Sequence, residues 1–226
     1  MWSEAIMDRK EPGLLPRIVI QFSKGTRFMK LMSRVLILIA SLALSVTYFA
    51  PLWTISLQAP QYPEGLGFQI WINQLQGEHQ GDLAKINNLN HYIGMKKIIP
   101  ESIPELKIMP WVMRGLMLLG LAVAVAGKRT LLLVWLIAFI LVAIAGFADY
   151  YAWGYDYGHN LDTEHAIIKI PGMSYQPPLI GSKKLLNFTA ISLPGSGGWA
   201  AIGSFIFGLL IWVFERRRSK TATRHA

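Results

Sequence analysis

The chain has 226 residues, 53% of them hydrophobic, with a formal net charge of +9 and no cysteine. Without cysteine there can be no disulfide, thiolate nucleophile, cysteine-ligated zinc or iron–sulfur cluster, so metal donors are restricted to His, Met, carboxylate and amide. Long apolar runs leave no room for a separate soluble catalytic domain, and the basic residues flank those runs, which turns the charge from a nucleic-acid signal into an orientation signal.

In chain order, residues 1–30 are basic, and 14–30 mix Leu, Ile, Val and Phe with Arg and Lys, a composition suited to a helix lying on an anionic leaflet. Residues 31–53 form a first span, retained because no small-x-small cleavage site follows its apolar core and because it ends in Trp53. Residues 54–108 make a long polar loop with a β-like Phe68-Gln69-Ile70-Trp71-Ile72. A helix then runs from Asp82, its expected N-cap, to about Ile93, with Leu83, Ile86, Leu89, Tyr92 and Ile93 as its apolar stripe. Asn87, His91 and Met95 share one face if that helix survives Gly94.

The second span, 109–126, is short for a hydrocarbon core of about 30 Å unless it tilts or starts earlier. A turn at 127–129 leads to the third span and its outer end, 130–153, then to a second loop, 154–197, a fourth span, 198–214, and a basic tail, 215–226. The expected fold class is an all-α membrane protein: four transmembrane helices whose two long outward loops dock as a small mixed α/β cap. Lys and Arg concentrate before the first span, in the middle turn and after the last span, so both termini are expected in the cytoplasm.

Within the spans, small residues recur at helical spacing: Ser41 and Ser45, Gly120 and Ala124, Ala200, Ser204 and Gly208. Such stripes let helices approach closely in lipid. Arg114 lies a turn inside the second span, and a structural ion pair with Asp149 would offset its cost.

The loops carry the chemistry. His91, Met95, His159 and Met173 put imidazole and thioether on the outward face, a donor set that favours copper, above all Cu(I). The competing reading has the two histidines fixing the cap by hydrogen bonds and the methionines packing against aromatic rings. Ser174 and Ser192 lack a nucleophile-elbow context, no span carries a His for haem, and no Gly-rich phosphate loop precedes a helix, so no constellation argues for an enzyme.

The strings Ala59-Pro60-Gln61-Tyr62-Pro63-Glu64-Gly65-Leu66, Ile86-Asn87-Asn88-Leu89-Asn90-His91-Tyr92-Ile93-Gly94-Met95, Tyr157-Gly158-His159-Asn160-Leu161-Asp162 and Pro171-Gly172-Met173-Ser174-Tyr175-Gln176-Pro177-Pro178-Leu179-Ile180-Gly181 resemble the NosB-like membrane protein family, encoded beside nitrous oxide reductase. The resemblance implies a multi-pass protein of the bacterial inner membrane with a periplasmic cap. It also implies a role as accessory to a periplasmic respiratory copper enzyme, which raises the copper reading of His91, Met95, His159 and Met173: Cu(I) held by His91 and His159 with Met95 or Met173, then passed to a periplasmic partner. It supplies a neighbourhood and no mechanism, because the family has no assigned biochemical role. The alternative is a docking or scaffold subunit that holds no ion, with Tyr62, Trp71, Tyr157 and Tyr175 as partner anchors alongside Tyr155. Lipid is the expected environment, nucleic acid is not an expected partner, and homo-oligomerisation stays open.

Overall fold

The structure, a computed structural model, describes residues 28–224, with side chains described through Arg218. Nearly all of the expected amphipathic segment 14–30 lies outside the described residues. Among the described residues, four helices are long and apolar enough to cross a membrane: Leu31–Tyr48, Glu105–Ala126, Arg129–His159 and Ser196–Arg218. Their connections put a β-sheet at one end of the bundle and the short turn at residues 127–128 at the other.

All four spans differ at a boundary from the sequence expectation. The first helix, α1 (Leu31–Ala43), tightens into a 3-10 turn over Leu44–Tyr48 and stops, so Trp53 opens a strand instead of closing the span. Pro51, which has no N–H to donate, lies in the break. The second span is not short: α3 (Glu105–Ala126) starts one turn before Met109, directly after Pro104. Pro110 sits early in this helix, and its carbonyl accepts the Tyr48 hydroxyl at 2.5 Å. The third, α4 (Arg129–His159), runs through what reads as loop, and α5 (Ser196–Arg224) continues through the basic tail.

Trp135 is the centre of the bundle, with 0% exposure. Its indole N–H donates to the Leu116 carbonyl at 2.9 Å, and Phe139 meets it edge-on at 5.6 Å. Glycines make the room. A Cβ at Gly208 would run into the Trp135 ring, and one at Gly120 would collide with Ser41 Oγ. The Ser204 hydroxyl donates to the Ala40 carbonyl at 2.6 Å, so the small-residue stripes lie at helix contacts.

At the α3–α4 turn, Arg34 reaches from α1 to donate to the carbonyls of Ala124 at 2.8 Å and Val125 at 2.5 Å, which have no partner inside α3. Beside it, Glu215 is buried and accepts the Ser33 hydroxyl at 2.6 Å and the Lys30 N–H at 3.2 Å, with Arg218 at 3.5 Å.

The chain is not all-α. Five strands, β1 (Trp53–Ala59), β2 (Tyr62–Ile70), β3 (Leu75–Gly77), β4 (Gly181–Leu185) and β5 (Phe188–Pro194), form one antiparallel sheet in the order β3-β2-β1-β5-β4. Both loops contribute, and they join at the centre, where Trp53 pairs with Pro194 and Ile55 with Ser192. Alternation along the strands turns Ile55, Leu66, Phe68 and Leu75 to one face, where they form a second core with Ile86 of α2 (Asp82–Tyr92), Ile98 and Leu106. The upper turns of α4 close this core with Tyr150, Trp153 and Tyr157.

Candidate functional site

The two long loops converge where α2 and α4 end. Gly154 and Gly158 lie one turn apart and present a flat strip of α4 to the chain at Gln176. The Tyr175 N–H donates to the Gly158 carbonyl at 3.0 Å, and a Cβ at Gly158 would collide with the Gln176 backbone. Meanwhile α2 stops at Tyr92, and Gly94, at φ 76°, turns the chain so that the Met95 N–H bonds the Asn90 carbonyl at 2.8 Å. The second loop is laced to this turn: Asp162 N–H to the Gly94 carbonyl and Ile168 N–H to the Tyr92 carbonyl, both at 2.8 Å. Lys96 pairs with Asp156 at 2.7 Å, and the Tyr157 hydroxyl donates to the Lys97 carbonyl at 3.1 Å.

This lacing brings the segments that bear His91, Met95, His159 and Met173 to one junction. The side chains do not form the expected helical face, because α2 does not survive Gly94. Asn87 instead closes a loop, accepting the Ile98 N–H at 2.7 Å and donating to the Ile98 carbonyl at 3.1 Å. His91 is exposed in the last turn of α2, its ring 6.3 Å from that of Tyr92. His159 ends α4, stacked on Tyr155 at 4.1 Å, with Nδ1 3.1 Å from the Tyr155 carbonyl. Met95 and Met173 are half-buried. Among the described residues, no three His, Asp or Glu side chains converge into a group able to hold a metal ion.

His165 pairs locally with Asp162 at 2.9 Å. The backbone N–H of His165, then its ring, holds the Asp162 carboxyl below the usual carboxylate range.

The aromatic residues expected as partner anchors are mostly packed inward. Tyr175 is only 5% exposed, Tyr157 lies 4.5 Å from the Trp153 ring, and Tyr62 packs on the sheet core. Trp71 is half-buried after β2, its indole N–H lacking a protein partner. The Arg114–Asp149 pair is not formed: Arg114 stacks over the Trp111 ring at 4.6 Å, and both charged residues are exposed.

Two features went unread in the sequence. Ser192, buried on β5, receives the Trp53 indole N–H at 2.7 Å, lies 2.9 Å from the Tyr150 hydroxyl and donates to the Leu179 carbonyl at 3.1 Å. It ties the sheet, α4 and the second loop together with no free hydroxyl hydrogen for chemistry. The second feature is an apolar ridge: Tyr92, Ile167, Ile168 and Ile170 are 47%, 65%, 46% and 43% exposed. The signal was there, since three of the four residues in Ile167-Ile168-Lys169-Ile170 are isoleucine and no strand claims them.

No protein-family model matches the chain, and no curated protein matches it either.

Proposed function

We propose that the protein is a membrane-embedded docking subunit for a periplasmic partner, with both termini in the cytoplasm and the sheet on the opposite side of the bacterial inner membrane. The apolar ridge Tyr92–Ile167–Ile168–Ile170 carries this reading. It lies at the tip of α4, a helix of 31 residues. At 1.5 Å per residue such a helix is about 46 Å long, against a hydrocarbon core of about 30 Å. The ridge is therefore held well clear of acyl chains, and an apolar surface exposed to water at that distance fits another protein. Positive flanks on the bundle end away from the sheet support the orientation. The resemblance to the NosB-like family supports a periplasmic respiratory copper enzyme as the partner class, with nitrous oxide reductase as the partner to test.

The full chain in detergent should co-elute with that enzyme from the same host. Ile168→Asp/Ile170→Asp should weaken the complex at least about tenfold, since each buried isoleucine contributes roughly 1.5–3 kcal/mol. A wild-type chain that does not bind, or a variant that binds as well, removes the reading.

A second reading is favoured by His159. With Nδ1 occupied at the Tyr155 carbonyl, Nε2 is left outward on an exposed ring, an arrangement shared by metal-ligating histidines. In this reading Cu(I) is held by His159 and His91 with Met95 or Met173 and passed to the same partner. Titration against a Cu(I) chelator should then show stoichiometric binding that His91→Ala/His159→Ala weakens at least about tenfold. Absence of Cu(I) binding by the wild type leaves the docking role alone.

A further inference from the structure

At the bundle end away from the sheet, a cleft of about 150 Å³ opens between the first turns of α4 and the last membrane turns of α5, lined by Arg129, Thr130, Leu133, Trp212 and Arg216. We infer that this cleft binds the phosphate of an anionic phospholipid, with the glycerol and upper acyl chain against Leu133 and Trp212. The inference rests on the membrane reading, and neither on its orientation nor on the role of the cap.

Two arginines line one small cleft, and among the described residues neither is paired with a carboxylate. Glu215, the acid close by, does not neutralise them. Its carboxylate is taken by Ser33 Oγ, the Lys30 N–H and Arg218, and it offers Arg129 only its backbone carbonyl, at 3.4 Å. Arg129 therefore keeps most of its five N–H donors for another acceptor. Arg216 is held over the Trp212 ring at 5.2 Å, which restrains its guanidinium without satisfying its hydrogen bonds.

The other lining groups fit the same ligand. The Thr130 hydroxyl can donate to a phosphate oxygen, and the start of α4 adds the positive end of a helix dipole. Leu133 is 37% exposed, one turn deeper along α4, and with Trp212 it forms an apolar wall directly below the charged mouth. A phosphate with nothing apolar attached would use the mouth and leave this wall bare. The ends of membrane spans are also where lipid headgroups lie, and basic clefts between helices at that depth suit anionic headgroups.

The test is native mass spectrometry of the full chain purified with equal phosphatidylglycerol and phosphatidylcholine. Wild type should retain phosphatidylglycerol at least about tenfold over phosphatidylcholine, at about fivefold for each arginine. Arg129→Gln/Arg216→Gln should abolish the preference, Arg216→Gln alone should lose about fivefold, and the charge-matched Lys97→Gln/Lys184→Gln on the sheet side should change nothing. Equal retention of the two lipids by wild type, a preference that survives in the double variant, or an equal loss in the lysine control overturns the proposal. So does displacement of the lipid by millimolar inorganic phosphate, which would make this a site for the free anion. Failure of the membrane reading itself is seen separately, as extraction of the wild-type chain from membranes by alkaline carbonate without detergent.

Discussion

Trp135→Ala should lower the thermal midpoint of the detergent-solubilised protein by roughly 6–12 °C, corresponding to about 3 kcal/mol in a chain of this size. Trp135 is fully buried where α3, α4 and α5 meet, and both Gly120 and Gly208 have given up their side chains to admit its ring. In lipid the indole gains little from leaving the apolar solvent, so the loss comes from dispersion contacts and from the cavity that the glycines cannot fill. The Leu116 carbonyl also loses its second donor. Trp135→Phe should recover part of the loss, because a ring still packs on Phe139 while the indole N–H is gone. Gly208→Leu should destabilise through the opposite fault, overpacking against the same ring. If Trp135→Ala melts like wild type, the bundle is not organised about this residue.

Asp82→Ala should unfold the cap while leaving the bundle intact, at a cost of about 3 kcal/mol. Asp82 is 1% exposed and its carboxylate finishes the edge of β2 where β3 runs out. One oxygen accepts the Gly67 N–H at 3.2 Å, the His79 N–H at 3.1 Å and the His79 ring at 3.2 Å, and Lys85 approaches the other at 3.8 Å. Removing the side chain strands the Gly67 N–H in the core. Hydrogen exchange should accelerate across 62–92 and remain slow in α3 and α4.

The same carboxylate gives the cap its acid limit. Burial alone would raise the Asp82 pKa, but the backbone N–H groups of His79 and Gly67 and the His79 ring outweigh it and hold the group below its ordinary value of 3.8. A depressed folded-state pKa contributes stability that is fully present above the ordinary value and is lost as pH falls through the folded one. The cap of wild type should therefore hold at pH 5–7 and weaken below about pH 4, whereas Asp82→Asn should start weaker and show a shallower acid limb. Equal acid limbs in the two proteins would remove Asp82 from this role.

The helices were legible because apolar runs of spanning length have no other stable use, and the basic flanks were as plain. Their ends were not. Tyr155-Asp156-Tyr157-Gly158-His159 reads as polar loop, yet it stays helical because Trp153 and Tyr157, each half-buried, pack against the sheet core and Gln176 covers the glycine strip. The sheet was legible only at Phe68–Ile70. β1 is apolar enough to merge with the first span, and its partner β5 lies on the far side of three helices, so their pairing leaves no local signal. Asp82 was read as a helix cap, but Gly81, at φ 84°, holds that position and frees the carboxylate for the sheet. The four candidate copper donors lie on segments that meet, but spacing in sequence could not say whether their side chains would.

The pairing of β1 with β5 also sets an order of assembly. The β1–β2–β3 meander can form as soon as the first loop is made, but one edge of β1 has no partner until residues 188–194 exist. At about 5–20 residues per second, that edge waits on the order of ten seconds. An unpaired central strand is a template for any extended chain nearby, so this is the interval in which the nascent protein is most exposed to mispairing and proteolysis. Closure of the sheet ends it, and because β4 and β5 follow α3 and α4 in the chain, a closed cap is a record that both of those helices have already been made.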